Sequence, residues 1–352
     1  MSEAVLSLLD AVNSSKEHHQ IGFYGKDELP ERYINRCREL EIKHQVFKKA
    51  SGVGASSWMS MLAWLRDYRP DVVISHMTQP LPALLAYRLF NRKATLVIVE
   101  HHSNDLKSFK DWFLTLTNHW FCDRTVYLTA EYENQVSRKL GLLYRKAKVS
   151  VIGNAINTDL FSPATTTDNG SFTIGMQARM VEGKDFETLF KAFEILRHES
   201  PGLSLEIAGD GPDRPRLERL VSELGIEKDV VFLGMMEQSD LAERMKSWHV
   251  LVLATSGETM SRAVMEGQAL GLVVVATDVG GTKATIRDNV NGMLVPPKAP
   301  KQLAEKLLFL RRTPELRATI SRNAREMALS EFSPISRWEQ FSLLISQTLA
   351  RK

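Results

Sequence analysis

The stretch 248–281 constrains the fold of this chain more than any other. Two apolar runs, at 250–254 and 272–276, are rich in β-branched residues and flank a segment whose apolar residues recur at helical spacing. Strands that are apolar on both faces belong in the middle of a parallel sheet. The stretch therefore predicts a strand–helix–strand unit and an α/β fold.

The turn after the first of these strands is a candidate binding site. It is small, polar and glycine-bearing, and open α/β sheets bind ligands at the carboxyl ends of their strands. A helix that begins near Ser261 points its N–H groups and positive dipole end at this turn, which favours a phosphate. Glu258 then lies beside the group attached to the phosphate, and Glu266 lies over one turn further along the helix. An ordinary loop acid and a solvated helix acid explain the spacing equally well.

The rest of the chain repeats the alternation of helix and strand. With 352 residues it is long enough for two domains, and each half predicts an α/β doubly wound sheet. The polar segment 164–170 is the predicted linker, so the domains are placed at 1–163 and 171–333. The last predicted helix, 334–349, either crosses back to the first domain or packs locally. Predicted strands lie at 20–24, 45–47, 71–75, 95–99, 125–128, 149–152, 172–176, 204–208 and 230–233.

Composition places the chain among globular proteins of a reducing compartment. Hydrophobic residues make up 43% and charged residues 25%, which is typical of a soluble domain. Cys37 and Cys122 show no paired spacing, so neither a disulfide framework nor a metal cluster is expected. No apolar run approaches the length of a membrane span, and the start of the chain lacks a basic signal-peptide region. These features predict a cytoplasmic protein.

The charge of the chain is unevenly distributed. Residues 1–160 contain 21 Lys and Arg against 17 Asp and Glu, whereas the whole chain has a net charge of +3. A basic amino-terminal half suits an anionic acceptor or a membrane surface. A scattered, solvated surface is the alternative, and it is favoured because the sequence shows no dense basic cluster.

Residues 254–281 resemble the motif of two glutamates separated by seven residues in retaining glycosyltransferases of family 4. These enzymes have the GT-B architecture, two Rossmann-like domains with an inter-domain cleft. The resemblance implies that Glu258 is catalytic at the donor sugar, that Glu266 binds the ribose, and that the backbone at Thr259, Met260 and Ser261 binds phosphate. The family usually has Gly-Phe-Gly at 259–261, a difference that bears on the donor sugar rather than on the phosphate.

A second motif, at 177–185, resembles the family's Gly-Arg-Leu-x-x-x-Lys-Gly sequence. Arg179 and Lys184 lie five apart after a predicted strand, so both cations can converge on one diphosphate. Unpaired loop cations are the alternative interpretation. The Gly-x-Gly-Pro turn at 209–212 and the junction at 152–163 add to the resemblance, although a single Gly-x-Gly turn is weak evidence.

Histidines follow two of the predicted strands in the first half. A histidine in a strand-end loop is usually a surface or packing residue. His101, directly after strand 95–99, resembles the family's active-site histidine near the donor sugar and the acceptor hydroxyl. His102 is the alternate, and His76 is a weaker candidate of the same kind.

The beginning of the chain departs from the family. Its members open with an apolar strand and a Gly-Gly loop, whereas this sequence begins where the following helix begins. We therefore expect the first domain to lack that strand and that loop. A sheet without one strand exposes unpaired backbone groups, which predicts self-association or poor solubility.

The resemblance implies a metal-independent hexosyltransferase that acts in cell-envelope polysaccharide biosynthesis. Its expected donor is a UDP- or GDP-linked sugar, which is a co-substrate, so no cofactor is expected. Its expected acceptor is a glycan, a lipid or a small molecule, with peripheral membrane contact at the inner face of the membrane and no nucleic acid. The absence of an Asp-x-Asp sequence supports the expectation that no metal is required.

Three other functions remain open at this point. An epimerase of the same architecture would release the nucleotide diphosphate without an acceptor. An inactive, donor-binding partner subunit would bind nucleotide but transfer no sugar. A nicotinamide-binding Rossmann protein is disfavoured, because no Gly-x-Gly-x-x-Gly sequence opens either domain.

Overall fold

The computed structural model describes residues 2–12, 18–25, 29–49, 54–101, 104, 107–163 and 172–351. It divides into two compact units: unit 1 is Met1–Ala155 with Pro334–Lys352, and unit 2 is Ile156–Ser333.

The division between the units falls within the junction at 152–163 rather than after it. The segment 164–170, predicted as the linker, lies outside the described residues. Ile156 belongs to unit 2 because it is buried there and its N–H donates to the carbonyl of Phe332. Phe161 is also buried, and its carbonyl accepts a hydrogen bond from Arg325.

Unit 1 alternates helices with short parallel strands. In chain order its elements are α1 (Ser2–Val12), β1 (Gln20–Gly25), α2 (Glu31–Glu39), β2 (Lys43–Lys48), α3 (Ala55–Tyr68), β3 (Val72–Ser75), α4 (Leu81–Phe90), β4 (Thr95–Glu100), α5 (Phe109–Phe121), β5 (Arg124–Tyr127), α6 (Ala130–Leu140) and β6 (Val149–Val151).

The strands of unit 1 form two sheets instead of one. β1 pairs with β2, and a separate sheet has the order β3-β4-β5-β6, all parallel. β4 is buried along its whole length, as an apolar central strand should be. Within the described part of the chain, β1 and β3 each have one edge that no strand pairs with.

Unit 2 follows the same alternation. Its elements are β7 (Phe172–Gln177), α7 (Phe186–Glu199), β8 (Leu203–Ala208), α8 (Arg214–Glu223), β9 (Val230–Gly234), α9 (Gln238–Met245), β10 (Val250–Leu253), α10 (Arg262–Ala269), β11 (Val273–Thr277), α11 (Gly280–Lys283), β12 (Met293–Val295), α12 (Pro300–Arg312) and α13 (Pro314–Met327).

Six parallel strands of unit 2 form one sheet in the order β12-β11-β10-β7-β8-β9. The order reverses between β7 and β10, which is the topological switch point where such sheets bind ligands. β12 was not predicted as a strand, because three residues are too short to show a period.

The last helix, α14 (Pro334–Leu349), belongs to unit 1. It buries Phe341 and Leu344, and the Thr348 hydroxyl accepts a hydrogen bond from Arg124 Nε at 2.8 Å. No described helix has the length and apolar character that crossing a bilayer requires.

Candidate functional site

Two loops of unit 2 meet where the strand order reverses. One follows β7 and the other follows β10, so parallel pairing brings both to the same edge of the sheet. The Asp185 N–H donates to the carbonyl of Ala254 at 3.0 Å, and the Ser256 N–H donates to that of Gly183 at 2.9 Å. The two segments predicted to bind phosphate are therefore joined through their backbones.

Lys184 and Glu258 form an ion pair across these loops. Lys184 Nζ lies 2.7 Å from Glu258 Oε2, and the side chains are 22% and 17% exposed. The other carboxylate oxygen accepts a hydrogen bond from the Thr259 N–H at 3.1 Å. Glu258 is thus a positioned, half-buried carboxylate rather than a solvated loop acid, and it lies beside a cation.

Helix α10 begins directly after this turn. Ser261 is its N-cap, and the Ser261 hydroxyl accepts from the Val264 N–H. Met260, directly before this N-cap, is buried. The first N–H groups of α10 have no acceptor within the helix, which suits an anion.

Glu266 is not the solvated helix acid that the spacing allowed. Its side chain is 1% exposed, and Oε1 accepts a hydrogen bond from Arg262 Nη2 at 2.9 Å. Arg262 was not predicted as a site residue, although its i,i+4 spacing to Glu266 is a recognisable signal of an ion pair on a helix. A ligand that binds Glu266 must therefore reach a buried, charge-paired carboxylate.

Arg179 is exposed on the loop after β7. Within the described residues, no ion pair or hydrogen bond joins its side chain to Lys184 or Glu258. Its backbone is held on both sides: the Ala178 N–H donates to Ala208, and the Met180 N–H donates to Asp210 at 2.9 Å. Arg179 lies at the same edge of the sheet as Lys184 and Glu258, as predicted, but its side chain does not contact either of them.

The Gly-x-Gly-Pro turn at 209–212 supports the Arg179 loop. A Cβ on Gly209 would lie 2.2 Å from the carbonyl oxygen of Ala178, and a Cβ on Gly211 equally close to that of Met180. Gly209 also has a φ of +127°, which other residues rarely adopt. The glycines are needed because two backbone segments pack against each other here.

A set of buried hydroxyls holds the turn at 255–261, and sequence reasoning missed it. Thr277 Oγ1 accepts from the Thr255 N–H at 3.0 Å and donates to the Thr255 carbonyl at 2.7 Å. Thr282 Oγ1 in turn donates to the Thr277 carbonyl at 2.6 Å. Threonines at or just after strand ends are the sequence signal that indicates this network.

Unit 1 brings two of the candidate histidines together. His76 follows β3 and His101 follows β4, and these neighbouring strands are parallel and in register. His76 Nδ1 and His101 Nε2 are 3.0 Å apart, so one of these two nitrogens donates to the other. His102, the alternate, lies outside the described residues.

Both histidines are neutral at physiological pH. Desolvation by the packed protein atoms lowers the pKa of His76 to about 4. Desolvation also holds the pKa of His101 well below its ordinary value, and His76 lowers it further. Both residues are partly exposed. A neutral imidazole carries one donor and one acceptor, so the pair can orient a hydroxyl without introducing a charge.

A buried ion pair anchors the chain on both sides of the His101 loop. Lys107 Nζ lies 2.6 Å from Glu100 Oε2, and both side chains are almost fully buried. Glu100 Oε1 also accepts from Thr115 at 3.2 Å and from Asn118 at 2.9 Å, both in α5. Sequence reasoning did not identify this network, which ties the end of β4 to α5.

No three His, Cys, Asp or Glu side chains of the described residues are grouped as metal ligands would be.

Two protein-family models match the chain, one in each half. The model described as Glycosyltransferase Family 4 matches residues 14–160, and the model described as Glycosyl transferases group 1 matches residues 157–327. Together they extend over most of the chain.

Known proteins similar to this chain include two curated relatives. One subunit of the human phosphatidylinositol N-acetylglucosaminyltransferase is 27% identical over 68% of this chain, which spans half (50%) of the human protein's length. The putative glycosyltransferase EpsD of Bacillus subtilis is 26% identical over 87% of this chain and 83% of its own length.

A solved structure supports the fold. The Anabaena protein Alr3699/HepE, in complex with UDP-glucose, matches with a TM-score of 0.82 at 18% identity, over 98% of this chain and 96% of that one. The predicted architecture of two Rossmann-like domains is confirmed by this match.

Proposed function

The chain belongs to glycosyltransferase family 4 and has the GT-B fold, and from that premise we propose that it is a retaining glycosyltransferase. The donor is a nucleotide-diphosphate sugar bound by unit 2, and the acceptor is bound by unit 1. The observation that carries this proposal is the Lys184–Glu258 pair at the strand-order reversal, beside the N-terminus of α10.

The reaction cleaves the bond between the anomeric carbon and the diphosphate. Negative charge then develops on the leaving diphosphate, and preorganised cations and N–H groups stabilise such charge most strongly. Lys184, Arg179 and the backbone at 259–262 are assigned to this task. The acceptor oxygen bonds to the anomeric carbon on the face that the diphosphate leaves, and the acceptor proton passes to a diphosphate oxygen.

The two acids and the histidine have separate roles in this proposal. Glu258 holds hydroxyls of the donor sugar, and its ion pair with Lys184 links the sugar subsite to the phosphate subsite. Glu266 binds the ribose, with Arg262 holding its carboxylate. His101, kept neutral and oriented by His76, donates or accepts a hydrogen bond at the donor sugar or the acceptor hydroxyl.

We further propose that the reaction requires neither a metal nor a cofactor. The cations of unit 2 take the place that a metal holds at the diphosphate in other transferases. Transfer rates should therefore be unchanged by EDTA, and a rate restored by Mg²⁺ after chelation would overturn this part. The acceptor is a glycan or a lipid-linked molecule of the cell envelope, and the enzyme acts in the cytoplasm at the membrane's inner face.

Calorimetric titration with UDP, GDP and their common sugar conjugates tests the donor site. We expect one nucleotide family to bind, and UDP is tried first because the similar Anabaena protein was solved with UDP-glucose. Saturable binding of neither nucleotide would contradict the assignment. Transfer to a panel of glycan and lipid acceptors, read by mass spectrometry, then tests catalysis.

An inactive, donor-binding subunit is the second candidate. It is favoured by the strands of unit 1, which fall into two sheets rather than one within the described residues. Nucleotide binding without transfer to any acceptor would select it. Release of the nucleotide diphosphate with no acceptor present would select an epimerase instead.

A further inference from the structure

Helix α5 turns an aromatic face towards solvent. Phe109, Phe113 and Trp120 are exposed, and their spacing of four and seven residues puts them on one stripe of the helix. Phe109 is 89% exposed. A surface helix usually shows the opposite arrangement, with its polar side outward.

The inverted polarity of α5 has a structural cause. Thr115 and Asn118, on its inner side, both donate hydrogen bonds to the buried carboxylate of Glu100. The polar residues are thus held inward by the network that anchors the His101 loop. The aromatic residues consequently face outward.

Neighbouring segments extend this face at the end of α5. Arg88 in α4 donates to the carbonyl of the exposed Phe121 at 3.0 Å. The Arg145 guanidinium lies 3.6 Å from the centre of the Trp120 ring, just after the exposed turn at 141–143. We name the combined face the aromatic–basic surface and define it by Leu89, Phe109, Phe113, Trp120, Phe121 and Leu142.

Cations surround this surface. Segments 88–93 and 138–148 together contain eight Lys and Arg and no Asp or Glu. Arg88 and Lys146 form ion pairs with Asp123 and Glu133. Arg92, Lys93, Arg145 and Lys146 are exposed. The sequence showed no dense basic cluster because the two segments are far apart in the chain.

An anionic bilayer fits these features better than other partners do. Aromatic and aliphatic side chains partition into the lipid interface, and surrounding Lys and Arg attract anionic headgroups. A second copy of the chain would place like charges against each other. A nucleic acid would stack its bases on aromatic rings, but Arg145 already lies over the Trp120 ring and the leucines of the surface offer no ring.

We propose that the aromatic–basic surface binds unit 1 to an anionic lipid bilayer, with α5 lying in the plane of the interface. The aromatic stripe enters the headgroup region, and the cations around it contact lipid phosphates. This binding requires no nucleotide and no acceptor, so it stands or falls independently of the proposed sugar transfer.

Vesicle sedimentation with the full chain tests the proposal. We expect the protein to sediment with vesicles of phosphatidylcholine mixed with phosphatidylglycerol, but not with phosphatidylcholine alone. Added NaCl should weaken binding because it screens the electrostatic attraction. A protein that stays in the supernatant with anionic vesicles at low salt would overturn the proposal.

Paired variants assign the binding to this surface. Phe109→Ser with Phe113→Ser, and separately Arg92→Glu with Lys93→Glu, should each lower the partition coefficient about tenfold or more. The matched control is Met235→Ser with Phe309→Ser, two exposed apolar residues of unit 2. All three changes are at exposed positions, so the thermal midpoint should be retained.

Three further results would refute the proposal. One is a control variant that loses as much binding as the α5 variant does. Another is a dimer, seen by light scattering, that the α5 substitutions dissociate while vesicle binding is unchanged. The third is a single-stranded oligonucleotide that binds the intact chain more tightly than the anionic vesicles do.

Discussion

Units 1 and 2 are built from the same alternation of helix and parallel strand but differ in how their described strands are divided among sheets. The six strands of unit 2 form one sheet, and a single cluster of buried residues includes members of all six strands. The described strands of unit 1 form two sheets, and its buried residues form separate clusters.

The difference separates two kinds of site. In unit 2 the Lys184–Glu258 pair rests on backbone hydrogen bonds, close glycine contacts and buried hydroxyls. In unit 1, His101 follows the central strand β4, but its partner His76 follows β3, which has one edge that no described strand pairs with. We expect substitutions in unit 2 to change activity by disturbing the geometry of the site. We expect the stability and self-association of unit 1 to depend on pH and protein concentration.

The largest effect should come from Lys184→Ala. The substitution removes the cation nearest to Glu258 and, in the proposed function, a group that stabilises the leaving diphosphate. Turnover should fall by about 100-fold or more, the usual result of removing one such donor. Steady-state transfer assays measure it.

A matched lysine controls for the loss of a positive charge. Lys191 in α7 pairs with Glu187 on the surface of the same unit, so Lys191→Ala should leave turnover unchanged. Near-normal turnover in the Lys184 variant would remove this residue from the mechanism.

Gly281→Ala should produce the next largest effect, on the stability of unit 2. A Cβ there would lie 2.2 Å from the carbonyl oxygen of Glu258 and 2.4 Å from that of Thr259, so the turn must move. Overpacking of this kind costs about 1–3 kcal/mol. Urea unfolding and nucleotide titration should both show a loss, because this turn carries Glu258.

Gly257→Ala is the control for the glycine test. A Cβ at Gly257 meets no atom within 4 Å, although it lies in the same turn. Equal destabilisation by both substitutions would mean that the close backbone approach at Gly281 is not what matters.

Much of unit 2 could be predicted from its sequence. Apolar β-branched runs identified the strands, and the end of each run located Lys184, Glu258 and Ser261 at one sheet edge. What local patterns could not show is side-chain partnership: Lys184 pairs with a residue 74 positions away, and Glu266 is buried against Arg262. Such pairs depend on how the loops pack, which no periodicity encodes.

Unit 1 was less predictable for a different reason. Helical spacing identified the helices, but spacing alone does not say which face of a helix is inside. Phe109 and Phe113 are exposed because Glu100 holds the opposite face of α5 inward. Glu100 is at the end of β4, so the network that turns the polar face of α5 inward joins two different elements. Helical spacing within α5 does not show such a contact.

Acid should weaken unit 1. Burial lowers the pKa of His76 and of His119 to about 4, from an ordinary value near 6.5, with nearby lysines adding to the effect at His119. Between those pH values, these two histidines are protonated in the unfolded chain but remain neutral in folded unit 1. The free energy of unfolding should therefore fall as pH drops from about 6.5 to about 4, by about 1–3 kcal/mol.

Urea unfolding over this pH range, with proteolysis reporting which unit opens, measures the effect. His119→Gln keeps a donor for the Tyr127 hydroxyl, which lies 2.8 Å from His119 Nε2, but removes the titrating group. It should flatten part of the pH dependence, whereas His198→Gln on the exposed side of α7 should not. A pH dependence that is unchanged in the His119 variant would exclude this histidine as its source.

The smallest effect should be self-association through the strand edges of unit 1 that no described strand covers. Neither β1 nor β3 contains a charged residue or a proline, the usual devices that protect an edge. β9 is also an edge strand, but its pairing with β8 contains a register shift, which disfavours further pairing.

We expect the mean mass in light scattering to rise above 39.8 kDa with concentration. Val72→Lys in β3 should reduce this rise, whereas Val231→Lys in β9 should not, because only the first adds a charge to an unprotected edge. A constant monomer mass of the intact chain at every concentration would show that the open edges of unit 1 are not adhesive, and the contrast between the two units would then be confined to their sites.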